Sequence, residues 1–319
     1  MISASLALVG AFVYGGADFF GGLAAKRLRS IVVTAVSALA GLIALLVALP
    51  VLGGQWGGSD IAWGVLAGAF GVVAVGLLYA CLAIGPMSIL SPLTAVVSAI
   101  APMLWGLLIN GEMLAPVGYL GLAVALIAVV LVGFIPGEKV VRPSARGLLM
   151  AVGAGVAIGA FLIVIDQTSD ESGLVPLVMS RATSVVVTVI IVLALVIATA
   201  RRGLAASSAF DAAGSALGAT PTGHADLEHT ALPPEGGATF TRSRAVWLAV
   251  ICGVLDAAAN AVMLIALRIG EISIVSALTA LYPAGTILLA AIVLRERVAA
   301  IQWAGLGLAL VAGGMLALA

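Results

Sequence analysis

Two stretches, Ile84-Gly-Pro-Met-Ser-Ile-Leu-Ser-Pro-Leu-Thr-Ala95 and Ile269-Gly-Glu-Ile-Ser-Ile-Val-Ser-Ala-Leu-Thr-Ala280, agree at eight of twelve positions across an offset of 185 residues. With the offset reduced by one, the match runs on through Glu112 over Glu296, Gly121 over Gly305 and Leu122 over Leu306. A self-match at a fixed offset marks an internal repeat. The chain therefore reads as a duplicated unit, and the fold is the fold of that unit taken twice.

Composition says where the unit folds. Of 319 residues, 63% are apolar and only 9% charged, with a mean hydropathy of +1.28. A soluble domain carries about a quarter charged residues, so this chain cannot cover itself with a water-facing surface. Apolar runs centred on 4–24, 31–50, 62–84, 88–109, 116–135, 147–166, 174–199, 245–267, 272–293 and 300–318 are each long enough for a bilayer core of roughly 30 Å. None alternates with the period of two that a membrane β-barrel requires. The expected fold is an all-α integral membrane protein of ten transmembrane helices. Its expected layout is a first five-span repeat over 1–135, a hinge over 136–146 and a second repeat over 147–319. That second repeat is interrupted by a polar, solvated and disordered stretch at 201–243.

Five spans per repeat is an odd number, so the second copy enters the membrane from the opposite side and the repeats are inverted. The charges agree. The loop after span 1 holds Lys26, Arg27 and Arg29, whereas its counterpart after span 6 holds Asp166, Asp170 and Glu171. Assigning loops alternately puts every Lys and Arg on one face except Arg181 and Arg268. The positive-inside rule makes that face cytoplasmic and places both termini outside. Inverted repeats are a device of secondary transporters, in which two similar halves exchange roles around a midplane site.

The motifs Tyr14-Gly-Gly-Ala-Asp-Phe-Phe20, Leu281-Tyr-Pro283 and Leu294-Arg-Glu-Arg-Val298, the last leading to Gln302-Trp-Ala-Gly305, resemble the EamA-type family of the drug/metabolite transporter superfamily. The resemblance covers nearly the whole chain outside 201–243. The first copy is less faithful, with Asn110-Gly-Glu-Met113 for the Glu motif and no proline at Ala99. The resemblance implies a secondary carrier, often an exporter of metabolites or toxic compounds, located in the cell membrane. It also marks Glu112 and Glu296 as signature positions. Members commonly have cytoplasmic termini, which the basic loops here argue against.

Few ionisable residues lie inside the spans, and each needs a partner or a wet cavity. Asp256 is the deepest, with Asn260 one turn on along the same face; the pair serves a substrate or proton site, or glues helices together. Asp18 in span 1 serves proton coupling or bridges to the basic loop at Lys26. Arg181 offers a fork of donors to an anionic group, or pairs with Asp166 at the end of span 6. Tyr282 and Pro283 fall in span 9, where proline permits the bend that discontinuous carrier helices use; Pro283 is the candidate hinge. Ser276 belongs to a Ser/Thr stripe along spans 4 and 9, and Tyr14 and Tyr79 are weaker candidates for a cavity wall. Glu112 and Glu296 each precede a span and read as carboxylates capping it.

Other classes find less in the sequence. Zero net charge offers no basic footprint for nucleic acid. No Walker-type phosphate loop is present, and no histidine lies inside a span, since His224 and His229 both fall in 201–243. An intramembrane enzyme, a cofactor and a metal site are therefore not expected, and the two cysteines, Cys81 and Cys252, read as small apolar residues. A channel or a non-transporting scaffold is the alternative to a carrier. The expected partners are a small-molecule substrate and the lipid bilayer, with a homo-oligomer left open.

Overall fold

A computed structural model describes residues 2–25, 27–84, 87–133, 144–202, 209–210, 241–293 and 299–319. The described residues form helices and no strand: α1 (Ile2–Ala25), α2 (Ser30–Leu52), α3 (Gly58–Ile84), α4 (Met87–Leu108), α5 (Pro116–Val132), α6 (Ala145–Asp166), α7 (Val175–Arg201), α8 (Arg242–Arg268), α9 (Ile272–Thr279), α10 (Tyr282–Val293) and α11 (Ala300–Ala317). A single 3₁₀ turn, Asp170–Ser172, leads into α7. Among the described residues seven stretches, with α9 and α10 taken as one, are long and apolar enough to cross a membrane. The apolar segments Gly58–Ala74, Leu93–Leu108 and Pro116–Val132 are shorter.

The ninth apolar run, read as one span, is two helices. Pro283 has no N–H to return to the carbonyl of Thr279, which weakens the helix at this point, and here the helix breaks, whereas α4 runs on through Pro92 and Pro102. Pro283 fits instead into the first turn of α10, where an unpaired N–H costs nothing. The chain turns at Ala280–Leu281 between the two pieces.

The helices of the two halves interlock. α1 packs on α8 as α6 packs on α3; α2 packs on α8 as α7 packs on α3; α1 meets α9 and α10 as α6 meets α4. The contacts α2 with α7, α4 with α9 and α5 with α11 join equivalent helices. Exchanging the halves therefore returns the same packing scheme.

Close approach at small residues makes this possible. A Cβ on Gly68 of α3 would lie 2.6 Å from the Ser180 carbonyl oxygen of α7, and one on Gly253 of α8 would lie 2.7 Å from the Ser37 Cα of α2. Gly68 and Gly253 stand 185 residues apart, the offset of the repeat. Ser37 Oγ also donates to the Ala249 carbonyl at 2.9 Å across the α2–α8 seam.

The two ends of the bundle differ. At one end Ala24, Leu28, Val33 and Ala245 cluster, Arg29 N donates to the Phe210 carbonyl at 3.0 Å, and the Arg242 guanidinium sits 5.4 Å over the Phe210 ring. The stretch expected to be solvated is thus docked at Ala209 and Phe210; 203–208 and 211–240 lie outside the described residues. At the other end Leu174 N donates to the Gly53 carbonyl at 3.3 Å and Gln55 N to the Glu171 carbonyl at 2.8 Å. These bonds fasten α2 to α7.

Candidate functional site

A cavity of about 230 Å³ lies inside the bundle, with walls from α1 to α4 and α6 to α10. It brings together six of the residues singled out in the sequence: Tyr14, Arg181, Asp256, Asn260, Ser276 and Tyr282. Its floor is a buried ion pair. The Arg181 Nη2 donates to Asp256 Oδ2, and these residues are 8% and 2% exposed. Asn260 Nδ2 donates to the Asp256 carbonyl at 2.8 Å and to Oδ2 at 3.4 Å. The turn from Asp256 to Asn260 thus orients the carboxylate, and the carboxylate orients the guanidinium.

This pairing corrects one expectation. Arg181 does not meet Asp166, because α7 packs on α2 and α3, which turns its inner face toward α8. Asp166 instead has the Asn110 side chain and Glu112 for neighbours.

The other walls are mostly apolar, with hydroxyls turned back on their own helices. Thr34 donates to the Ser30 carbonyl, Ser184 to that of Ser180, Thr188 to that of Ser184, and Ser276 to that of Ser273, at 2.7 to 3.1 Å. Tyr14 donates to the Met263 sulfur at 3.6 Å. Met263 and Phe161, which the sequence did not single out, complete the wall. They carry no sequence signal, because apolar residues fill every span.

Asp18, one turn beyond Tyr14 on α1, is buried at 1% exposure but is not among the lining residues. It lies within electrostatic reach of Tyr14 and Cys252. The side chain of Tyr79 and all of Glu296 and Lys26 fall outside the described residues. Pro283 lies one residue past Tyr282, at the break that forms part of the wall.

Glu112 caps a helix, though not the one that follows it. Its Oε1 accepts from Ile272 N at 2.8 Å and its Oε2 from Ser273 N at 3.1 Å, so it serves the start of α9 in the other half. The N-cap of α5 is Ala115, without a side-chain bond. Glu271, at the N-cap of α9, has its carboxyl raised above the ordinary range by burial and then by the charge of Glu112.

The cavity reaches the rim at one end, through Ile31 in the first turn of α2, whereas toward the other end it stops at Leu162 of α6 and Met263 of α8. On α2 its lining residues are Ile31, Thr34 and Ala38, and on α7 they continue from Ser180 to Ile191; both sets run toward the end that carries Arg29, Arg201 and Arg242. At the opposite end Arg268 Nη2 donates to the Ser169 carbonyl, Ser172 Oγ and the Gly173 carbonyl at 3.1, 3.1 and 2.9 Å. Asp60 accepts from Ser169 N at 2.8 Å and from Ser169 Oγ at 3.0 Å. The loop from α6 to α7 is thereby held by both α3 and α8.

A family model for the EamA-like transporter family matches residues 1–134 and 230–318. The chain belongs to the EamA-like transporter family. It is a multi-pass helical membrane protein of that transporter family, and the matched segments take in α1–α5 and α8–α11. A solved structure, described only as "Crystal structure of protein", covers 99% of this chain and 98% of its own, with a TM-score of 0.66 and 14% sequence identity. That likeness is one of fold. No curated protein matches the sequence.

Proposed function

We propose that this protein is an alternating-access secondary carrier that exports a small organic compound across the plasma membrane. It crosses the membrane ten times as two inverted five-span repeats, the second comprising α6–α11, with the basic loops cytoplasmic and both termini outside. The observation that carries the reading is the asymmetry of the cavity. A polar pair sits at mid-depth, the space extends toward the basic end, and the other end is fastened by Arg268, Asp60 and the α2–α7 backbone bonds. In a carrier these are the features of a state open to the cytoplasm. The helix-packing scheme that is unchanged on exchanging the halves supports the opposite state, in which the two repeats trade conformations.

The broken α9–α10 stretch adds a place where the wall can bend without disrupting a continuous helix. Two drivers remain compatible with these residues, proton coupling and exchange. The test compares secreted and retained small molecules by mass spectrometry in cells bearing wild type, Asp256→Asn or an empty vector. Export of a compound by wild type alone supports the reading and the placement of Asp256 in the binding site. Equal profiles in all three, with expression verified and uptake also unchanged, contradict it.

A further inference from the structure

Among the described residues two charged side chains line the cavity, Arg181 and Asp256, and each neutralises the other. Asn260 adds a further donor to the same carboxylate. Asp18 is buried without lining the space. Residues 61–111, which supply the α3 and α4 walls, contain no Asp, Glu, Lys or Arg at all. The hydroxyls do not stand in for a counter-charge: those of Thr34, Ser98, Ser184, Thr188 and Ser276 donate to carbonyls of their own helices at 2.7 to 3.1 Å. Apolar surface makes up most of the rest, from Val72, Ile158, Phe161, Leu162, Ile191 and Met263.

The pair has a second feature. α7 and α8 both pack on α2 but scarcely on each other, so the bond from Arg181 to Asp256 is a strut across the cavity. A carrier passes through a state closed at both ends, in which its substrate has lost its water. There a substrate carboxylate competes with Asp256 for Arg181, and a substrate ammonium competes with Arg181 for Asp256. Either exchange leaves one charge buried without a partner, which is the arrangement an interior tolerates least.

Resting on the carrier reading, we propose that the substrate is an uncharged, largely apolar compound of one or two rings, held by contact with the wall, and that the Arg181–Asp256 pair is a strut between helices and not a receptor for a charged group. Burial of apolar surface against Phe161 and its neighbours supplies the affinity. The size follows from the space. An engineered apolar cavity of about 150 Å³ holds benzene, and this cavity, at about 230 Å³, has room for a ring with a short side chain or for two fused rings. The strut gives the pair a part in transport without contact to a substrate charge, because it sets the spacing of two helices that line the space and do not pack together.

The probes are 2-phenylethanol, phenylacetate and 2-phenylethylamine, which match in size and are neutral, anionic and cationic at pH 7, together with glucose as an uncharged polar ring. Binding is read from the ligand-dependent rise in thermal stability of the purified full chain in detergent, with free concentrations corrected for partition into micelles. The alcohol is expected to bind at least about tenfold more tightly than the acid, the amine or the sugar. Phe161→Ala is expected to weaken the alcohol about tenfold, and Ile191→Ala, at a half-exposed wall position, several-fold.

Binding of the acid, the amine or the sugar as tight as that of the alcohol overturns the assignment, as does the absence of saturable binding by any probe. Unchanged binding of the alcohol in both variants places its site elsewhere and overturns it too. The secreted compounds separate the two layers. A secreted compound that bears a net charge at pH 7 defeats this inference and leaves the carrier reading standing. Binding of the alcohol as expected, with secretion and uptake identical in wild type and empty vector, defeats the carrier reading and leaves the chemistry of the site standing.

Discussion

Arg268→Ala is the substitution whose effect follows most directly from the geometry. The guanidinium joins α8 to the α6–α7 loop through three acceptors, at 2.9 to 3.1 Å. The Asp170 carboxylate, 3.8 Å from Nε, is 82% exposed and adds little, as surface ion pairs do. A charged donor to a neutral acceptor contributes about 1.5–3 kcal/mol when buried. The Arg268 side chain is 19% exposed and water competes for the same acceptors, so the two N–H groups of Nη2, shared among the three acceptors, contribute about 1 kcal/mol each, or about 2 kcal/mol in all. If these contacts form only while this end is closed, their loss raises the ratio of open to closed about 30-fold.

The assay is the rate at which a maleimide labels Val175→Cys in purified protein, with Cys81 and Cys252 replaced by Ala. Val175 is fully buried next to Gly54 in the closed end, so labelling reports opening. A rise in rate of about 30-fold is expected for Arg268→Ala. Labelling that changes less than twofold in a folded variant refutes the claim that Arg268 holds this end shut.

Three further outcomes follow from the same contacts. Arg181→Gln or Asp256→Asn alone strands a buried charge and is expected to destabilise by about 3–5 kcal/mol, while the double substitution returns to within about 1 kcal/mol of wild type; additive losses in unfolding titrations contradict the pairing. Gly253→Leu must push α8 off Ser37 and is expected to lower stability by about 1–3 kcal/mol or more, with Gly68→Leu doing the same at the α3–α7 seam; unchanged thermal midpoints contradict the packing. Glu112→Ala removes the carboxylate that caps α9 and is expected to cost about 1–2 kcal/mol, with Glu112→Gln intermediate; a thermal midpoint equal to wild type for both shows that the cap contributes nothing.

Much of the architecture was readable from the chain because bilayer length and hydropathy constrain a span more tightly than any soluble helix is constrained. The repeat of Ile84–Ala95 in Ile269–Ala280 carried the two halves, and Pro283 marked a bend in the ninth span, where the structure breaks the helix in two. Within the site, Asp256 and Asn260 were linked by helical spacing, a local property. The partner of Arg181 was not local. Helix order suggested Asp166, one loop away in sequence, but the interlocked halves put α8 against α2 and leave Asp166 beside Asn110. The same reason hid the true client of Glu112, which caps α9 across the pseudo-two-fold instead of its own neighbour α5. Arg268 was visible only as an exception to the charge asymmetry, and its role as a clasp depends on backbone carbonyls that no side-chain pattern announces.

The measurement closest to the central claim is counterflow in liposomes loaded with the compound that intact cells export. A carrier with one alternately exposed site gives uptake of labelled compound that saturates, is accelerated by unlabelled compound inside, and falls sharply in the Arg181→Gln, Asp256→Asn double variant. Uptake that rises linearly with concentration, shows no acceleration from the opposite side and persists in that variant contradicts the account and identifies a channel.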